Sequence, residues 1–334
     1  MAAKTQTSMV PVTFGEATYI PINMDSLRLD SVPEFDLYFR PGEDQPFVLY
    51  CQRCTAFTQD ARKRLAQNRI GRLYIQEGHR SEYSRYLAAH LEETLADCEL
   101  SIREKSTILY DAAQAVVEDV LAQPASEKIR RGKAIVRQTV ALMSSEEFLL
   151  EDLLRAISCD YYLYTHSVNV TAYSIALAMH AGYQDPATLR EIANGALLHD
   201  VGKSALPKAL LNKTGALTGA EWERMKHHPV RGFELLGDSG ALGEVALDIV
   251  LHHHEKLDGH GYPHGLKGEA ISDFVRIVTV ADIFDALTSE RHYQKHRGSF
   301  EALSEMNAAA GREIDRDFFR CFIEMMGSPG KSAD

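Results

Sequence analysis

The stretch DPATLREIANGALLHDVGK, residues 185–203, decides how the carboxy-terminal half reads. Asp185 is a favoured N-cap residue, and Pro186 sits at the first helical position, where its missing N–H costs nothing. Leu189, Ile192, Ala193, Ala196 and Leu197 recur at the spacing of one helical face. Three residues further along that face lies Asp200, with His199 beside it and Lys203 after Gly202. A carboxylate on a core-facing stripe is costly unless it is paired or bound to a metal.

The same pattern recurs downstream. Thr218 and Glu221 form a capping box, and the helix they open is predicted to run to His227 and His228, ahead of Pro229. In ALGEVALDIVLHHHEKLDGHGYP (241–263) the stripe Leu242, Val245, Ala246, Ile249, Val250 continues through His253. His252 and His254 flank it, and periodicity does not choose between them. In the next helix Phe274, Ile277, Val278 and Ala281 lead into Asp282 and Asp285. Twelve of the 14 histidines lie at or after position 166. Inward-facing His and Asp on several helices would each carry a desolvation cost alone, and a metal centre explains them together. Mixed imidazole and carboxylate ligands without thiolate suit iron, manganese or zinc.

Outward from this region the 334-residue length predicts two domains. Residues 1–80 read as a small α/β regulatory domain, with strands at 46–51 and 71–76 and a helix over 58–65. Residues 81–148 read as a helical connector and a candidate dimerisation element, with helices over 82–122 and 126–143. Residues 149–334 read as an all-α bundle, giving an α+β chain overall. The net charge of -11 argues against a nucleic-acid polymer as partner. No apolar run reaches the ~18 residues that span a bilayer, and MAAKTQTSMVPVTFG has no leader pattern, so a cytoplasmic protein off the membrane is expected. The five cysteines are scattered, and Cys51–Cys54 lacks the second pair a zinc knuckle needs.

HDxGK at 199–203 resembles the mark of HD-domain phosphohydrolases, and HHExxDGxGYP at 253–263 resembles the signature of their HD-GYP subfamily. Leu206-Pro207, Lys213, Leu217-Thr218, Glu221, His228-Pro229 and DALTSER (285–291) extend the likeness over about residues 150–300. The resemblance implies an HD-type helical bundle that hydrolyses cyclic di-GMP to linear pGpG or GMP, through a hydroxide bridging two divalent metals. Iron is the first expectation, with manganese or zinc as alternatives. It implies His166, His199, Asp200 and Asp282 as ligands of one metal, and His228, His253 and His254 as ligands of the second, with Asp200 bridging. Tyr162 stands where some members have a glutamate for a third metal, so two ions are expected. Lys203 resembles the residue that adds positive charge at the phosphate, and Asp200 with Lys203 forms the catalytic pair. Tyr262, Arg291 and Lys295 complete the expected substrate contacts. Lys295 is displaced by one position, because Arg291-His292-Tyr293-Gln294 stands in place of R-P-Y-K. Gly259, Gly261 and Pro263 shape a loop that the family uses for substrate handling and for contact with GGDEF-type proteins. The alternatives are a non-enzymatic cyclic di-GMP receptor and an HD phosphohydrolase acting on another cyclic dinucleotide.

Overall fold

The computed structural model describes residues 11–327 except 23, 43, 69, 71, 99, 146–147, 149–162, 212, 214 and 290–296. Two compact units divide it, Met1–Ala115 and Val116–Asp334.

The first unit holds β1 (Val12–Phe14), β2 (Ala17–Ile22), β3 (Leu37–Phe39), β4 (Val48–Cys51) and β5 (Leu73–Gln76) in one sheet, ordered β1-β2-β5-β3-β4. Every pairing is antiparallel. In β5, Leu73 and Ile75 are buried while Tyr74 and Gln76 are partly exposed, the alternation of a strand with one covered face. Ile20, Ile22, Leu37 and Leu65 are buried as well. Helix α1 (Gln59–Gln67) starts where Thr58 accepts a hydrogen bond from the Ala61 amide. Two strands were expected here; β1 and β3 have three residues each, too few for alternation to register, and the six-residue β2 is interrupted by Pro21. The helix expected over 82–122 is two, α2 (Arg80–Leu95) and α3 (Ile102–Ala122).

The second unit is helical: α4 (Ser126–Met143), α5 (Leu163–His180), α6 (Pro186–Leu198), a 3-10 turn (Val201–Ala205), α7 (Lys208–Leu211), α8 (Gly219–Met225), α9 (His228–Ser239), α10 (Glu244–His252), α11 (Asp273–Thr288), α12 (Ser299–Ala309) and α13 (Arg316–Gly327). Helix α6 is central and packs against α4, α5 and α10. Its Leu189, Ile192, Ala193, Ala196 and Leu197 are all buried. Gly195 is needed for the approach of α10, since a Cβ there would lie 2.8 Å from Ile249 Cβ.

The helix opened by Thr218 stops at Met225, not at His228. Its capping box forms as expected, but Pro229 has no N–H for the Met225 carbonyl and its ring would strike it. The chain breaks there and α9 begins at His228. Among the described residues no helix is long and apolar enough to cross a membrane.

Candidate metal centre

Each inner helix ends or passes at one point of the second unit. His199 is the C-cap of α6, His253 is the C-cap of α10, and His228 opens α9. Their Nδ1 atoms donate to carbonyls three residues back: His199 to Ala196 (2.7 Å), His228 to Met225 (2.8 Å) and His253 to Val250 (2.9 Å). Carbonyls in a last helical turn lack an intrahelical partner, so each imidazole satisfies one and is fixed by it. With Nδ1 carrying the proton, each neutral ring presents the Nε2 lone pair.

Those lone pairs converge. His228 Nε2 and His253 Nε2 are 3.2 Å apart, and His228 Nε2 is 3.1 Å from Asp200 Oδ1. The other oxygen of the same carboxylate, Oδ2, lies 3.3 Å from His199 Nε2 and 3.8 Å from His166 Nε2. His166 Nε2 is also 3.1 Å from Asp282 Oδ1, and His254 Nδ1 is 3.8 Å from Asp282 Oδ2. Two groups result, Asp200 with His228, His253 and His254, and His166 with His199 and Asp282. In each, one ligand atom per residue lies within 4.8 Å of the others. His252 turns away to Asp248 and His264.

These donors fit cations. His199, Asp200 and His228 are 1 % exposed and His253 0 %. His199 Nε2 and Asp200 Oδ1 are buried without a hydrogen-bond partner. Lone pairs facing one another at this depth repel unless a positive charge sits between them. Protonation states agree. Burial pushes His228 and His253 below the usual histidine range and His254 down to about 3. Burial would raise the Asp200 carboxyl, but Lys203 and His199 outweigh it and hold it well below the usual range. Neutral imidazoles and ionised carboxylates are the forms that bind metal.

His166 is held differently. Its Nδ1 is 2.7 Å from Asp285 Oδ2, and Asp285 also accepts from Asn169 Nδ2 (2.8 Å) and Ser289 Oγ (3.1 Å). Sequence reading places Asp285 on the stripe but assigns it no role; its signal is the three-residue step from Asp282. Gly202 is a second such residue. A Cβ there would lie 2.0 Å from the His228 carbonyl oxygen, so only glycine lets the turn carrying Asp200 and Lys203 abut α9. Glu255 is a third: 2 % exposed, it accepts from the amides of His264, Gly265 and Leu266 and pins the loop beyond the centre.

Lys203 Nζ donates to Asp200 Oδ2 at 2.5 Å. The Tyr262 ring lies 4.8 Å from that of His254 and 6.1 Å from that of Trp222, a half-exposed residue absent from the sequence expectations. Burial, then Asp200 and Asp282, pushes the Tyr262 phenol up, so it stays a hydrogen-bond donor. Gly261 permits the loop's return, since a Cβ would meet Glu255 Cα at 2.4 Å. Arg291, Lys295 and Tyr162 lie outside the described residues.

The HD domain family matches residues 138–318. The chain is similar to the cyclic di-GMP phosphodiesterase PA4108 of Pseudomonas aeruginosa, with 40% identity over 194 residues, 58% of this chain and 44% of that protein. It is similar to the cyclic di-GMP phosphodiesterase response regulator RpfG of Xanthomonas campestris pv. campestris, with 48% identity over 128 residues, 38% of this chain and 34% of that protein. The chain thus spans less than half the length of these two relatives. In fold it is similar to Bd1817, an HDG"Y"P protein from Bdellovibrio bacteriovorus, with a TM-score of 0.64 and 23% identity, covering 93% of this chain and 100% of that one. The chain belongs to the HD domain family and, with HHExxDGxGYP at 253–263, to its HD-GYP branch.

Proposed function

We propose that the chain is a metal-dependent phosphodiesterase that hydrolyses cyclic di-GMP to pGpG or GMP. The observation that carries this reading is the division of Asp200, whose Oδ1 faces His228 and whose Oδ2 faces His199 and His166. A carboxylate so placed serves two cations at once. His166, His199 and Asp282 would complete one site, and His228, His253 and His254 the other; iron is the first assignment, then manganese or zinc. Two bound cations supply an acidified water near neutral pH and neutralise charge on a phosphodiester.

The protein's own groups do the rest. Lys203, 16 % exposed at its side chain, holds a cation beside Asp200 where the phosphate would lie. Tyr262 keeps its proton and, with Trp222, offers aromatic faces to a base. Arg291 and Lys295 are assigned to substrate on the family resemblance. Contact with GGDEF-type proteins is assigned to the 258–263 loop, where the His260 side chain is 83% exposed. Residues 149–334 are assigned catalysis, 1–80 regulation, and 81–148 a connecting role with dimerisation; a cytoplasmic site of action completes the reading.

The test is anaerobic purification with iron or manganese, metal analysis, and chromatography of products from cyclic di-GMP and from other cyclic dinucleotides. About two metals per chain with linear product from cyclic di-GMP is the expected result. Metal without product sinks the enzymatic reading in favour of a receptor. Faster turnover of another cyclic dinucleotide reassigns the substrate.

A further inference from the structure

The first unit carries a cleft of about 1140 Å³ lined by the end of β3, by β4, by α1 and by the start of β5. Three arginines line it, Arg40, Arg64 and Arg72, and among the described residues no aspartate or glutamate does. That is unexpected in a chain with 47 acidic against 36 basic residues. Arg40 is positioned from behind: its Nε donates to the Gln45 carbonyl at 2.9 Å, and its guanidinium lies 5.2 Å from the Phe47 ring centroid. Arg64 lies near the Tyr50 hydroxyl, which donates to the Ala61 carbonyl at 2.8 Å. Neither Arg64 nor Arg72 has a carboxylate partner among the described residues.

Three arginines lining one cleft, with no carboxylate among its described lining residues, favour an anion, above all one that accepts forked hydrogen bonds. The walls between them are aromatic, with Tyr50 and Tyr74 each partly exposed to the cleft. Cys51 also lines it, and burial, then Asp36, pushes its thiol up, so it is a neutral wall and no nucleophile. The cleft is larger than the ~300–1,000 Å³ of ordinary small-molecule sites, so size does not restrict it to a bare inorganic anion. Phosphate-matching cations beside aromatic faces describe a ligand with a phosphate and a planar ring system.

We propose that this cleft binds a purine nucleotide, with its phosphate on Arg64 and Arg72 and its ring against Tyr50 and Tyr74. It would be a ligand site of the first unit, separate from the HD residues and independent of whether they hydrolyse cyclic di-GMP.

The test is photolabelling of the full chain with 8-azido-GMP, competed by unlabelled GMP, with labelled peptides mapped by mass spectrometry. The expected label falls within residues 37–76, is competed by GMP, and drops by about tenfold or more in Arg64→Ala/Arg72→Ala. Arg64→Lys/Arg72→Lys should keep part of it, because charge survives while the fork is lost. Label confined to residues 199–263, label that GMP does not compete, or label unchanged in the double alanine variant would each overturn the proposal. Should the double variant fail to fold by circular dichroism, Arg64→Ala alone decides: Arg64 is exposed, and unchanged labelling there overturns the proposal equally.

Discussion

The two sides of the histidine cluster are built by different means. On one side, His199, His228 and His253 are oriented by main-chain carbonyls at helix ends. On the other, His166 is oriented by a buried carboxylate, Asp285, itself held by Asn169 and Ser289. A carbonyl clamp comes with the fold and no side-chain substitution removes it. A carboxylate clamp can be deleted in one step and also brings negative charge next to the imidazole, strengthening its lone pair. The carbonyl side is therefore disturbed only by moving helices, and the carboxylate side by changing one residue.

Asp200→Ala breaks both sides at once, because Oδ1 faces His228 while Oδ2 faces both His199 and His166. Activity on cyclic di-GMP should fall about a thousandfold or more, and metal analysis should show at least one ion lost. Full turnover in that variant would sink the two-metal assignment. Gly202→Ala attacks the carbonyl side through its backbone. The added Cβ has no room beside the His228 carbonyl, so metal content and melting temperature should both drop. A variant with wild-type melting and metal content would refute the account of that contact.

Asp285→Asn tests the carboxylate side. It keeps the shape and loses the charge, and metal affinity or activity should fall about 10–100-fold while the chain stays folded. An effect as large as that of Asp200→Ala would make Asp285 more than a positioning residue. Tyr262→Ala lies outside both clamps: turnover should drop about tenfold with metal content unchanged, and loss of metal would turn the loop into part of the centre. The smallest effect belongs to Thr218→Ala, which removes the cap of α8, the helix whose last carbonyl holds His228. Denaturant unfolding should show a loss of about 1 kcal/mol, with near-normal turnover. A large loss of metal from that variant would mean that α8 alone positions His228.

Much of this centre is legible without coordinates. The apolar stripes of α6, α10 and α11 point Asp200, His253 and Asp282 inward, because a helix of known period fixes directions about its own axis. Periodicity left His252 and His254 equal, and packing separates them: His254 faces Asp282 while His252 pairs with Asp248. The break between α8 and α9 was marked by Pro229, yet its consequence, a carbonyl freed for His228, appears only when both helix ends are placed. The first unit was less legible, since three of its five strands went unread.

The sequence by itself determined the family, the helical class of the carboxy-terminal half and the residue types that meet there, since these depend on motif and local period. Only the tertiary structure decided which lone pairs face one another, why residue 202 has no side chain, what orients His166, and that three arginines of the first unit share one cleft. Those are distances between elements far apart in the chain, and they are set by packing, on which local periodicity has no bearing.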